Sequence, residues 1–336
     1  HGVTDSFQRA WSAMVTEPAG PVYLCYDALL QETPLTDEVV VPGPDVAKAP
    51  APMSADAGVL AQIVDKLLAA ERPYIMAEFS GRHPGNFELL VELAELLGVA
   101  VWDVNSALCF PNRHPQNLSM DTDSLAQADA ILALDVVDWE KATAKLDSTT
   151  RKVESFLAES CEWMEVGFHE TGIASWSLDY GRYLPKALSA LGDPRQAMPQ
   201  MIEMVQERLA GNPALAERLA ARKTTIAARH AENFARWAEE ALAERDASPL
   251  TTARLAAEVW EVIRDEDWVL GSGTLRQWTR KLWDFDAAHR HPGKGLGTST
   301  QIGISMGVAL AHKGSDKVVV ALQPDGDLMF DAGALW

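Results

Sequence analysis

Residues 293–336 read GKGLGTSTQIGISMGVALAHKGSDKVVVALQPDGDLMFDAGALW. Within them, Val318 to Leu322 is a short apolar run rich in β-branched residues, the pattern of a fully buried strand. Pro324, Asp325, Gly326 and Asp327 follow as an acidic turn, and a second helical pattern begins near Asp331. Upstream, Ile302, Met306, Ala309 and Leu310 fall on one face of a predicted helix. Helix, strand, acidic turn and helix place the turn at the carboxyl end of a strand, where open α/β sheets bind ligands. Two carboxylates repel a bare phosphate, so this turn suits a cation lying between them. Magnesium takes hard oxygen ligands of that kind, from one or two carboxylates plus substrate phosphates. Gly326 lets a backbone approach closely. On these residues alone an ordinary Asp-Gly surface turn stays open.

The stretch just upstream has the same grammar. Ser248-Pro249 reads as an N-cap with proline at the first helical position, before a helix burying Leu255, Ala256, Val259, Trp260 and Ile263. Trp268 to Leu270 is a short strand running into Gly271-Ser272-Gly273-Thr274, then a helix through Trp283. A small-residue turn before a helix exposes free N–H groups and suits an anion, although a plain βα loop is equally open. Gly293 to Gly297 is no dinucleotide fingerprint, because Asp286 to Pro292 before it is polar and supplies no strand. His289 and His291 could face a substrate, but with nothing paired to them they read rather as ordinary loop residues.

Before that, residues 196–245 are rich in Ala, Glu and Arg. Met198, Met201, Ile202, Val205 and Leu209 form one helical stripe, read as core rather than as a cofactor box, and Phe234, Trp237 and Ala241 mark a second helix. From Ser54, strands alternate with helices. Ser54 or Asp56 caps a helix burying Leu60, Ile63, Val64, Leu67 and Leu68. Pro73–Phe79 is a strand, and Phe87, Leu90, Val91, Ala94 and Leu97 mark a helix stopped by Gly98. Strands follow at 99–104, 130–134 and 163–166. Such alternation implies a parallel sheet covered on both faces. Prolines 34, 42, 44, 50 and 52 make residues 36–53 a linker, and a helix over 6–15 and a strand over 22–25 precede it.

Composition narrows the function. Forty-eight acids against 29 bases give −19, which excludes nucleic acid and disfavours anionic membranes. No apolar run reaches the ~20 residues of a membrane span. Cys25, Cys109 and Cys161 show neither a disulfide framework nor a zinc spacing, which predicts a reduced, cytoplasmic setting. His83, His114 and His169 are isolated loop histidines and are assigned no metal. A chain beginning at His1 and stopping at Trp336 is expected to be a fragment.

The pattern PDGD with GALW at 333–336, preceded by GLG and GISMGVALA, resembles thiamine-diphosphate-dependent enzymes, in the branch of acetolactate synthases and benzoylformate decarboxylase. Pro324 stands where that family has the first glycine of its GDG motif. The paired asparagines that close the family's motif are expected beyond Trp336. The resemblance implies that Asp325 ligates magnesium and that Gly271, Ser272, Gly273, Gly326 and Asp327 hold the diphosphate. It implies that Leu296, flanked by Gly295 and Gly297, bends the cofactor. RAWSAMVTEPAGPVYLCYDALLQE is similar to the end of the family's pyrimidine-binding domain, whose catalytic glutamate is then missing. His114-Pro115 and ADAILAL are similar to its central domain, which in some relatives carries FAD or ADP. No GxGxxG follows a strand here and Gly81 is the nearest candidate turn, so FAD is disfavoured against a structural role.

The expected fold is therefore α/β, with two doubly wound parallel-sheet domains joined by a helical connection. The plan is 1–35, tail of a pyrimidine-binding domain; 36–53, linker; 54–210, a central Rossmann-like domain; 211–247, helical connection; and 248–336, the first half of a diphosphate-binding domain. The resemblance implies thiamine diphosphate and Mg2+ as cofactors and decarboxylation or carboligation of a small 2-oxo acid. It also implies a homodimer or homotetramer of the full-length protein, with this fragment inactive alone. The rival is a non-catalytic nucleotide-binding or scaffolding α/β protein; a nicotinamide dehydrogenase is disfavoured by the failed fingerprint.

Overall fold

The computed structural model describes residues 2–35, 38–43, 46, 48–168, 185–273, 275, 277–291 and 300–336. Helix α1 (Gly2–Val15) buries none of its residues, and α2 (Ala28–Glu32) is capped by Asp27, whose Oδ1 accepts the Leu29 N–H at 2.8 Å. The strand expected at 22–25 does not form, and Tyr23 there is 90% exposed. Among the described residues no strand pairs with it, and a single strand is not stable in water.

Helix α3 (Ala57–Ala69) starts where Asp56 Oδ1 accepts the Val59 N–H at 2.9 Å, and it buries the whole expected stripe from Leu60 to Leu68. Strand β1 (Pro73–Ala77), α4 (Asn86–Leu97) and β2 (Ala100–Asp103) follow. Gly98 ends α4 at φ 61°, a left-handed cap that suits glycine. Next come α5 (Thr122–Leu125), β3 (Ala130–Leu134), α6 (Glu140–Thr143), an antiparallel hairpin of β4 (Ala144–Leu146) and β5 (Val153–Ser155), then β6 (Glu162–Gly167) and β7 (Leu188–Leu191). Five strands form one sheet in the order β2-β1-β3-β6-β7, every pair parallel. His169 lies outside the described residues.

Alternation along β1 sorts the core. Ile75 and Ala77 face α3, α4 and α7 (Pro194–Leu209), where Leu67, Leu90, Leu97, Met201 and Val205 pack. The methionine stripe is thus core. Tyr74 and Met76 face the other side, with Trp102, Ile131, Trp163 and Ile226 of the long helix α8 (Pro213–Ala243). Both faces are covered, as a parallel sheet requires.

Helix α9 begins at Thr252 and runs to Ile263, capped by Thr251, whose hydroxyl accepts the Arg254 N–H at 3.2 Å. The start expected at Ser248-Pro249 is therefore displaced. Strand β8 (Trp268–Gly273), α10 (Trp278–Leu282), α11 (Thr300–Ala311), β9 (Val318–Leu322) and α12 (Asp325–Phe330) complete the chain. β8 and β9 pair in parallel, so the α/β class holds in this unit too. Trp268 meets Trp260, Trp283 and Phe285 edge to face at 5.8, 5.4 and 5.2 Å between centroids, geometry that aromatic rings favour. No helix among the described residues is long and apolar enough to cross a membrane.

Asn112 of the central unit joins the two units. Its side-chain amide donates to the Arg280 and Trp283 carbonyls at 2.7 and 2.8 Å and accepts the Phe285 N–H at 2.8 Å.

Candidate functional site

The carboxyl ends of β8 and β9 lie side by side, Gly273 opposite Leu322. Gly271-Ser272-Gly273, expected as a loop, instead belongs to the strand, with a bulge between Leu270 and Ser272. A bulge re-aims a strand end and is common beside functional sites. A Cβ on Gly271 would lie 3.1 Å from Ser305 Cα, so glycine lets α11 come close to the strand.

That approach also decides which face of α11 is buried. Of the face expected from periodicity only Ile302 is inside, together with Ser305, while Met306 and Leu310 are 43% and 71% exposed. Apolar residues surround this helix, so their spacing cannot choose a side; the close contact at Gly271 chooses it. Ser305 Oγ lies 2.9 Å from Ser272 Oγ, and the Gln323 side-chain amide donates to Ser272 Oγ at 3.1 Å.

Gln323 stands two residues before Asp325, so segments 51 residues apart meet at the strand ends. The acidic turn is itself the first turn of α12: Asp325 and Asp327 lie in its opening turn, and the helix does not wait until Asp331. Pro324 supplies a fixed φ before the helix and no side-chain cap. Asp325 is exposed, while Asp327 is half-buried and accepts the Gln301 side-chain N–H at 3.1 Å. A Cβ on Gly326 would meet nothing within 4 Å.

The donor set suits a hard cation and an anion. Two carboxylates and the buried Gln323 Oε1, which has no hydrogen-bond partner among the described residues, are hard oxygens, and the space over Gly326 is open. Gln323, Ser305 and Gln301 were not singled out in the sequence, and a polar residue directly after an apolar strand was the available signal; that strand, β9, expected to be fully buried, has no buried residue, and its Val318 is 37% exposed. Leu296, Gly295 and Gly297 lie outside the described residues.

His291 sits below these strand ends, its Nδ1 3.2 Å from the Leu270 carbonyl. Burial, then the Arg280 charge, push its pKa down to about 4, so it stays neutral and donates Nδ1–H. The unfolded chain takes up this proton below about 6.5. Stability is therefore present above that value and lost as pH falls towards 4, by at most roughly 3 kcal/mol. His291→Gln keeps a donor for Leu270 and is expected to flatten the urea midpoint across that window. His289 is instead half-exposed, 3.6 Å from Asp267.

A second cluster occupies the central sheet where the strand order reverses, between β1 and β3. Arg82 reaches Glu17 at 2.8 Å and Asp135 at 3.1 Å, His83 lies 2.8 Å from Glu17, and Arg195 lies 2.5 Å from Asp193. His83 is thus not isolated, as the sequence had suggested. The ligand atoms of Glu17, His83 and Asp193 lie within 4.8 Å of one another, close enough for a cation. Arg82 and Arg195 already set two positive charges against the carboxylates of Glu17, Asp135 and Asp193. Burial, opposed by Arg82, raises Asp135 to about 6; burial, then Arg195 and Arg82, lower His83. These side chains take up the crevice where doubly wound sheets receive ligands. His114 instead packs edge to face on Phe110, 3.2 Å from Glu95.

No protein-family model matches the chain, and no curated protein matches it. Solved structures do. A Mycobacterium smegmatis protein, provisionally assigned as a thiamin diphosphate-dependent enzyme, aligns with TM-score 0.68 and 16% identity over 99% of this chain and 59% of its own. Benzoylformate decarboxylase from Polynucleobacter necessarius aligns with TM-score 0.68 and 14% identity over 97% and 56%. The thiamine diphosphate-dependent 4-hydroxybenzoylformate decarboxylase of Rhodococcus jostii RHA1 aligns with TM-score 0.58 and 16% identity over 87% and 50%. The chain thus spans between half and three-fifths of their lengths. At such identities the likeness is one of architecture: the chain has the fold of thiamine-diphosphate-dependent enzymes.

Proposed function

We propose that the ends of β8 and β9 hold the diphosphate of thiamine diphosphate through Mg2+, in a decarboxylase or carboligase of 2-oxo acids related to acetolactate synthase. The observation that carries this reading is the meeting of Ser272 with Gln323 at 3.1 Å, which brings the Gly271–Gly273 strand end beside Asp325. Asp325 would ligate the cation, with the Gln323 side-chain oxygen as a further hard donor. Ser272 offers a hydroxyl, and Gly326 leaves room for a phosphate at the open end of α12. Asp327, held by Gln301, keeps that helix start in place. Leu296, between Gly295 and Gly297, is assigned the role of propping the cofactor's bend. When bound, thiamine diphosphate supplies the electron sink that lets a 2-oxo acid lose carbon dioxide.

In this reading residues 1–35 close a pyrimidine-binding domain, 36–53 link it, 54–210 form the central domain and 211–247 connect to the cofactor unit at 248–336. The full-length enzyme would work as a homodimer or homotetramer. Calorimetric titration of the chain with thiamine diphosphate plus Mg2+, against ADP and FAD, tests the reading. Magnesium-dependent binding of thiamine diphosphate is expected, with no turnover of pyruvate or benzoylformate by this chain alone. Binding of ADP or FAD in its place would favour the non-catalytic nucleotide-binding reading.

A further inference from the structure

Where β1 and β2 begin, at the end of the central sheet away from the ion-pair cluster, α8 stands off the strands. It leaves a cavity of about 500 Å³. That volume is in the range of small-molecule sites. Its apolar wall is made by Tyr74, Leu118 and Ile226. The Tyr74 hydroxyl is already bonded to Ser124 Oγ at 2.7 Å, so the ring side of the residue is what remains for a ligand.

The rim carries arginines that differ in how they are compensated. Arg229 is neutralised by Asp121, at 2.5 and 2.9 Å. Arg222 is not. It donates to the carbonyls of Gly98, Leu67, Ala70 and Leu97, which close α3 and α4, and among the described residues no carboxylate lies within ion-pair distance of it. Burial, then the nearby Arg218, press its pKa down to about 10 against the weaker pull of Asp129. Arg72 donates Nε–H to the Gln127 carbonyl at 2.7 Å. Its only ion pair among the described residues is with Glu71 at 3.5 Å, a side chain 81% exposed, where such pairs are weak. Asp123 also lines the rim, but it is exposed and can turn to water.

We propose that this cavity is a second small-molecule site, taking a carboxylate with a compact aromatic body: the carboxylate at Arg72 and Arg222, the ring against Tyr74, Leu118 and Ile226. Charge-assisted bonds from guanidinium to carboxylate are strong when partly desolvated, and the apolar wall adds burial that a bare anion cannot use. The site is on the central unit and does not rest on the thiamine diphosphate reading.

Benzoate, benzamide and inorganic phosphate separate the parts of this recognition. Calorimetry and thermal unfolding of the 336-residue chain are expected to show benzoate binding and stabilising it. Benzamide has the ring without the charge, and phosphate the charge without the ring; each is expected to bind at least about tenfold more weakly. Thr225→Trp, which places an indole at the cavity from an exposed rim position, and Arg72→Gln should each weaken benzoate by about tenfold or more. Neither should lower the melting temperature of the ligand-free chain. Should Thr225→Trp fail to fold, Arg72→Gln decides alone. Benzoate affinity unchanged in the folded variants, or no benzoate binding at millimolar concentration, would overturn the proposal.

Discussion

Arg280→Ala is expected to lower the unfolding free energy by about 3–5 kcal/mol, measured by urea titration at neutral pH. The reason is the residue it abandons. Asp103 ends β2 fully buried, with Arg280 3.1 Å from its Oδ2 and the Asn105 and Cys109 N–H groups donating to its carboxylate at 2.7 and 3.1 Å. Burial already raises its pKa against the pull of Arg280. Without the guanidinium, a buried carboxylate must stay charged among backbone amides alone or take up a proton. A carboxyl whose folded pKa is raised binds its proton more tightly in the folded chain than in the unfolded one. Stability then falls as pH climbs through the interval above the ordinary value of 3.8. The variant's deficit should therefore shrink in mild acid. Arg280→Met with Asp103→Asn removes both charges and should cost much less than either single change; equal or greater loss in the double variant would sink this account. Arg280 also lies in α10, so the pair joins the β8–β9 unit to the central sheet, and its loss should loosen that junction first.

The second large effect falls on binding rather than stability. Asp325→Ala should weaken magnesium-dependent binding of thiamine diphosphate by roughly a hundredfold or more, since even outer partners of a metal site are worth about 10–100-fold. Its side chain is exposed at the start of α12, so the urea midpoint should hardly move. Asp327→Ala should cost less binding, because Asp327 is already engaged by Gln301 at 3.1 Å. Unchanged affinity in Asp325→Ala, with the fold intact, would remove the carboxylate from the metal site and the proposed function with it.

Local order was legible wherever a single segment carried its own signal. The AILAL run became β3 residue for residue, and Asp56 and Gly98 bound their helices as their chemistry requires. Signals weakened where two readings had equal local support. Ser248-Pro249 carries the stronger local signal for a helix start, yet it is Thr251 that places its hydroxyl on the Arg254 amide. The glycines at 271 and 273 suggest a loop, yet pairing with β9 draws them into a strand. The segment at 22–25 had a strand's composition, but among the described residues no strand pairs with it.

By itself, then, the amino-acid order determined the α/β class, the succession of strands and helices in the central unit and the acidic segment that follows the last strand. Hydrophobic period and capping act over a few residues, so they are written into each segment. The tertiary structure alone decided which side of α11 is buried, that Gln323 and Ser305 stand beside Ser272, and that Glu17, Arg82, Asp135 and Arg195 share one crevice. Those contacts join residues tens of positions apart, and strand order and the close approach at Gly271 create them. Polar groups carry no period that announces a distant partner; only the packed sheet brings their charges within a few ångströms.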